Sequence, residues 1–224
     1  MSEVVETREQ LQHLARDRAL RNNTYRGINY PGLRLERGDF GGATFERVTL
    51  SQAELEGVDF SRVTLKQVDL RQARLAEALV ARTTISDCDL TELSLAAALV
   101  EDLEVARTQL MNLDLQGAKL VDCRFLGCNL YGVRGARVVM IRCTFHDPAP
   151  NGAAELTKAQ LAGAALIDCD LSGANLYRAD FRGALVVRCN LRGAILTAAQ
   201  VDGARFIGCD LTGADLPDGL RGMM

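Results

Sequence analysis

The sequence predicts an all-β solenoid, a coil whose successive turns stack in register. Three observations carry this. From Leu35 onward every fifth residue is large and apolar: Phe40, Phe45, Leu50, Leu55, Phe60, Leu65, Leu70 and Leu75, then on to Phe145 with Val, Ile or Met at some steps. Two positions before most centres stands a small residue, as at Ala43, Val48, Ala53 and Val58. All seven Phe are centres, and all seven Cys (Cys88, Cys123, Cys128, Cys143, Cys169, Cys189, Cys209) fall at the small position. A period of five matches neither the 3.6 of a helix nor the 2.0 of a flat strand. Each unit therefore makes one side of a coil. Its centre and small residue point inward, and the other three positions face solvent or turn the corner.

A second series of the same period runs from Leu156 through Leu161, Leu166, Leu171, Leu176 and Phe181 to Leu216. The two series hold 23 and 13 centres, and one step of the first fails, at Gly135. Gly recurs at the corner of the second series (Gly163, Gly173, Gly183, Gly193, Gly203, Gly213), where a bend calls for positive φ. The composition fits such a coil. The 224 residues are 48% hydrophobic but only 5% aromatic, with no Trp, so small apolar side chains must fill the core.

Stretches such as Ala174-Asn175-Leu176-Tyr177-Arg178, Ala179-Asp180-Phe181-Arg182-Gly183 and Ala214-Asp215-Leu216 resemble the A(D/N)LXX signature of the pentapeptide-repeat family. The resemblance covers roughly residues 28–216. It implies a right-handed quadrilateral parallel β-helix with four repeats per coil. Thirty-six centres then make about nine coils, a rod roughly 43 Å long at a strand spacing of ~4.8 Å.

Phe145 and Leu156 are 11 residues apart, one more than two repeats, across the turn-rich His146-Asp147-Pro148-Ala149-Pro150-Asn151-Gly152. Either one residue bulges, or Leu156 begins the next side and six residues are extruded. Extrusion is favoured because only it joins Cys123, Cys143, Cys169, Cys189 and Cys209 into one column. The loop is a candidate recognition element or a tolerated surface insertion.

With the side of Leu35 counted as the first, the first, third and fourth sides carry mostly polar outward residues, such as Glu54/Glu56, Asp69/Arg71 and Asp170/Ser172. The second side begins with Asp39/Gly41 and Asp59/Ser61 and then changes. It continues as Leu79/Ala81, Leu99/Glu101, Lys119/Val121, Val139/Ile141, Ala165/Ile167, Leu185/Val187 and Arg205/Ile207. This apolar stripe is the candidate interface: Leu79, Leu99, Val121, Val139, Ile141, Ile167, Leu185, Val187 and Ile207. Its length, roughly 30 Å by one strand width, reaches the ~300–600 Å² of the largest patch usual for a monomer. Two plainer readings stand beside it: scattered Leu and Val tolerated on a flat sheet, or an N-terminal segment folded back over them.

The ends need capping, because a solenoid's last coil exposes its apolar cross-section. Thr7 to Leu20 reads as a helix with a capping box at Thr7 and Gln10 and Leu11, Leu14 and Ala15 on one face. An N-terminal cap is favoured over a partner-binding helix or a tail. The expected organisation is a helical cap over 1–27, the β-helix over 28–216 with a loop about 146–155, and a weakly capping tail over 217–224.

No catalytic chemistry is legible. The two His, His13 and His146, lack inward Cys, Asp or Ser partners, the cysteines show no CxxC pairs for zinc, and the glycines form no GxGxxG cradle. Stacked cysteines such as Cys169 and Cys189 lie within reach of a disulfide, but small hydrophobic filler is the favoured role. No cofactor and no metal are expected. The net charge of −3 offers no basic attraction to nucleic acid. No apolar run is long enough to cross a bilayer, the acidic N-terminus has no apolar signal region, and the odd number of cysteines fits a reducing compartment, so a cytoplasmic protein is expected.

The leading functional expectation is a non-catalytic protein–protein interaction scaffold, self-associating as a homodimer or docking a partner through the apolar face. The family resemblance implies an alternative. Some pentapeptide-repeat proteins mimic DNA and protect bacterial DNA gyrase and other type II topoisomerases. Here Asp87, Asp89, Glu92, Glu101, Asp102 and Glu104, with Asp114 beyond, form the candidate acidic patch. A third class is an adaptor associated with bacterial secretion or membranes.

Overall fold

The computed structural model describes residues 2–145 and 154–221. The chain winds as a four-sided parallel β-solenoid of about ten turns. Residues 20 apart stack: Thr44 pairs with Thr64, Asn29 bridges Thr49, Arg34 bridges Glu54 and Asp39 bridges Asp59, one register for each side. The coil count exceeds the nine read from sequence because Tyr25 and Tyr30 are centres as well; Tyr25 is fully buried and stacks on Phe45 at 4.7 Å between ring centroids.

The core is one continuous apolar column running the length of the rod. Every corner turns at the second residue after the centre, which takes positive φ whether or not it is glycine: +66° at Gly163 but also +52° at Arg82 and at Arg142. Gly135, where the series of large centres fails, is buried. A Cβ there would meet Leu161 Cδ2 from the next coil at 2.9 Å. Leu161 and Val138, both buried, fill the space a centre would have taken.

Across the break the partner spacing rises from 20 to 26: Asn129 bridges Glu155, Arg134 bridges Gln160, Val139 pairs with Ala165 and Thr144 bridges Asp170. It then returns to 20, with Glu155 bridging Asn175. Leu156 therefore sits on the side directly after Phe145, as the extruded reading requires. Residues 146–153, with the candidate recognition loop and His146, lie outside the described residues.

The N-terminal helix α1 spans Arg8–Arg16. Its capping box is formed: Thr7 Oγ1 accepts from the Gln10 backbone N–H, and Gln10 Oε1 accepts from the Thr7 N–H at 3.1 Å. The helix stops at Arg16, four residues short of the expected Leu20. Asp17 caps it, and Arg18 turns to φ +55° and breaks it. Leu11 and Leu14 are buried against the first coil. Ahead of the helix, Val4–Val5 pairs in parallel with Thr24 and Tyr25 and adds a strand to the third side. The segment thus lengthens the third side and does not fold back over the second.

At the other end, helix α2 (Asp218–Arg221) is a single turn. Leu216 and Leu220 are buried, but the inward Val201, Phe206 and Leu211 of the last coil are only partly covered.

Candidate interaction face

The outward surface is decided by the residue before each centre. At most positions where it is Asp or Asn, the side chain accepts a hydrogen bond from the backbone N–H two residues on: Asp59 from Ser61 at 2.8 Å, Asp170 from Ser172 at 3.0 Å, Asn175 from Tyr177 at 3.2 Å. This local bond competes with the strand ladder. Those segments pair only through isolated bridges, such as Asp39 with Asp59 and Asp170 with Asn190. Leu79, Leu99, Val139, Ala165 and Leu185 each open an extended strand, whereas Ile195 on the fourth side pairs only through isolated bridges. From Leu79 onward the second side is a seven-stranded parallel sheet: Leu79–Ala81, Leu99–Glu101, Lys119–Val121, Val139–Ile141, Ala165–Ile167, Leu185–Val187 and Arg205–Ile207. The third side also forms a seven-stranded sheet, from Val4–Val5 to Arg124–Leu126, but its outward residues are mostly polar, so only the second side is both flat and apolar.

All nine residues of the predicted interface lie on this sheet in two columns. The column before the centres carries Leu79, Leu99, Val139 and Leu185; the column after them carries Val121, Ile141, Ile167, Val187 and Ile207. Leu79, Leu99 and Ile207 are 37%, 38% and 42% exposed. These are large values for aliphatic side chains on a sheet, and no described segment of the chain covers them. Only Glu101, Lys119 and Arg205 interrupt the stripe.

The predicted acidic residues do not form one stripe. Glu101, Asp102 and Glu104 follow one another from the second side round the corner onto the third. Asp87 lies at the next corner, Asp89 on the fourth side and Glu92 at the corner beyond it. Several are met by arginines one coil away: Asp87 takes two hydrogen bonds from Arg107 at 2.8 and 2.9 Å, Glu104 pairs with Arg124, and Asp114 pairs with Arg134. Asp89 lies 3.8 Å from Arg71, and Glu92 accepts from Gln72 at 2.9 Å.

One charged feature escaped the sequence reading. At the corner joining the second and third sides, the column Asp122, Arg142, Asp168, Arg188 alternates in sign. Arg142 donates twice to Asp122 at 2.6 and 2.7 Å, and Arg188 twice to Asp168 at 2.7 and 2.8 Å. These arginines hold both carboxyls below the usual aspartate range. The signal was present, since Asp and Arg recur at 20- and 26-residue spacing, but it emerges only when corners are aligned coil by coil.

The interior offers packing. Each thiol of the five-cysteine column donates to a carbonyl of the preceding coil, Cys169 to Met140 O at 3.5 Å and Cys189 to Leu166 O at 3.5 Å. Thiol-to-thiol hydrogen bonds and burial push Cys143, Cys169 and Cys189 up to about 12. Among the described residues no cluster of His, Cys, Asp and Glu could hold a metal ion. His13 is exposed on α1, 3.5 Å from Asp17. No described helix is long and apolar enough to cross a membrane.

Two family models match the chain: "Pentapeptide repeats" over residues 32–67, 154–193 and 174–213, and "Pentapeptide repeat region" over 58–134. No curated protein matches. Among solved structures, trypsin-treated QnrB1, a plasmid-mediated fluoroquinolone resistance protein, superposes with a TM-score of 0.59 at 18% identity, covering 87% of this chain and 85% of that one. Full-length QnrB1 gives 0.56 at 17% identity, covering 89% and 96%. These likenesses show the fold.

Proposed function

Since the chain belongs to the pentapeptide-repeat family, we propose that it works as a non-catalytic interaction scaffold that docks a protein through the flat apolar sheet of its second side. The observation that carries this is the coincidence of flatness and apolarity from Leu79 to Ile207 on a rod whose other sides are polar. Burying such a patch gains about 25 cal/mol per Å², and a rigid solenoid loses little conformational entropy in presenting it. The experiment compares wild type with Leu99→Glu plus Val187→Glu in cell lysate by size-exclusion chromatography. The wild type is expected to elute in a complex larger than the single chain. The double variant, with an unchanged circular dichroism spectrum, is expected to elute as the single chain. Identical elution of the two would end this reading.

A second reading is the DNA mimic that binds a type II topoisomerase. It draws on Glu101, Asp102 and Glu104, which follow one another round a single corner. A mimic needs acidic groups repeating along a face in place of phosphates, and here Asp87, Glu104 and Asp114 are each paired with an arginine. The scaffold reading is therefore preferred. A gyrase supercoiling assay with and without a quinolone decides between them: the absence of both inhibition and protection would remove the mimic.

A further inference from the structure

Resting on the scaffold reading, we propose that the occupant of the second side is a second copy of this chain. The two rods lie antiparallel about a two-fold axis that runs along the strand direction and passes between the Val139–Ile141 and Ala165–Ile167 strands.

The charged column beside the stripe selects this arrangement. A two-fold axis along the strands keeps each column opposite the same column of the partner and reverses the order of the coils. With the axis between those two strands, Arg142 meets the partner's Asp168, and Asp122 meets the partner's Arg188; symmetry repeats both contacts. All four residues of the alternating column then face an opposite charge. Moving the axis onto the Val139–Ile141 strand sets Arg142 against its own copy and Asp122 against Asp168. Moving it onto the Ala165–Ile167 strand sets Asp168 against its own copy and Arg142 against Arg188. An axis along the rod would place the charged column against Gly117, Arg137, Gly163 and Gly183 at the opposite corner, where only Arg137 carries charge. Complementary rim charges of this kind fix register and speed encounter.

The same axis aligns the apolar column. Ile141 meets Ile167, and Val121 meets Val187, each twice. At the ends of the overlap Leu99 comes opposite the partner's Arg205 and Glu101 opposite the partner's Ile207, so the centre of the stripe carries the apolar contact. Six strands overlap, about 29 Å of rod at ~4.8 Å per strand. The footprint is roughly 400 Å² per copy, below the ~800 Å² of a standard stable interface. The dimer is therefore expected to be concentration-dependent.

The test uses the full chain. Val121 and Val187 lie three strands apart in one chain, about 14 Å, beyond disulfide reach. Val121→Cys and Val187→Cys proteins are mixed and oxidised with copper phenanthroline. The mixture is expected to give a disulfide-linked dimer that neither variant gives alone. In sedimentation velocity, Arg188→Asp is expected to weaken dimerisation several-fold, and adding Asp122→Arg to restore it, because the swap re-pairs charges across the axis while breaking both pairs within the chain. Crosslinking at this position with rescue supports the proposal. A dimer that Leu99→Glu plus Val187→Glu abolishes, but that neither crosslinks at Val121 and Val187 nor shows the rescue, overturns this arrangement and leaves the scaffold reading standing. A wild type that stays monomeric across the concentration range overturns the proposal and turns the scaffold reading to a different partner.

Discussion

Asp59 and Leu79 occupy the same outward position on successive coils of the second side and are joined by a parallel bridge, yet the chain changes shape between them. Asp59 draws the Ser61 N–H onto its own carboxylate at 2.8 Å, whereas the segment beginning at Leu79 runs extended into a seven-stranded sheet. The Asp or Asn of the repeat signature therefore does more than keep the surface polar. It takes a backbone N–H out of the ladder.

Leu99→Asp is accordingly expected to be well tolerated by the fold. The new carboxylate can accept from the Glu101 N–H as its counterparts do elsewhere, so the midpoint should move by less than about 1 kcal/mol. The flat face would be broken at that strand. Thermal melting checks the first part and association the second; a large loss of stability would contradict this role for the side chain.

The left-handed corners give a second prediction. Ala97 and Ala198 sit at φ +56° and +58°, a region that costs an L-residue about 1–2 kcal/mol, of which glycine's extra freedom in the unfolded chain returns part. Ala97→Gly and Ala198→Gly should each stabilise by about 0.5–1 kcal/mol. Urea denaturation reads this directly, and a lower midpoint in either variant would refute it.

The aspartates of the charged column set the response to acid. Arg142 and Arg188 lower the native pKa of Asp122 and Asp168. Their contribution to stability is therefore complete above the ordinary aspartate value of about 4 and is lost as pH falls through the lowered native values. Between pH 7 and pH 2.5 the melting temperature of Asp122→Asn plus Asp168→Asn should fall less than that of wild type. Parallel curves would show that the pairs contribute nothing.

The cysteines should be chemically silent in the native state. Six of the seven are buried, and Cys209, in the last coil, is partly exposed. With Ellman's reagent at pH 8, only Cys209 is expected to react before denaturation. Rapid labelling of Cys143 or Cys169 would mean that the coil opens far more readily than its packing implies.

Much of this fold was legible because the period is strict. Each inward position recurs every five residues, so the sides, the cysteine column and the offset at the break all follow by counting. What escaped counting lies where the pattern meets its ends or its neighbours. Val4–Val5 is too short to show a period, and it joins the sheet only because the first coil leaves a strand edge open. Tyr25 and Tyr30 lie before Leu35, where the run of Phe and aliphatic centres begins; Tyr25 is accommodated by donating its hydroxyl to Leu20 O at 2.8 Å. The end of α1 was set by Arg18 turning left-handed, which no apolar spacing reveals. The apolar stripe of the second side was visible from alternation alone, but its flatness and the sign-alternating column beside it required the coils to be set in register.

The most direct test of the central claim compares the four sides by photo-crosslinking in living cells. Benzoyl-phenylalanine is placed one site at a time at Leu99 and Val187 on the second side, and at Glu54, Thr64 and Thr157 on the first, third and fourth. The account predicts discrete crosslinked species from Leu99 and Val187 and none of comparable yield from the other three. Equal crosslinking from every side, or products only from the polar sides, would contradict it.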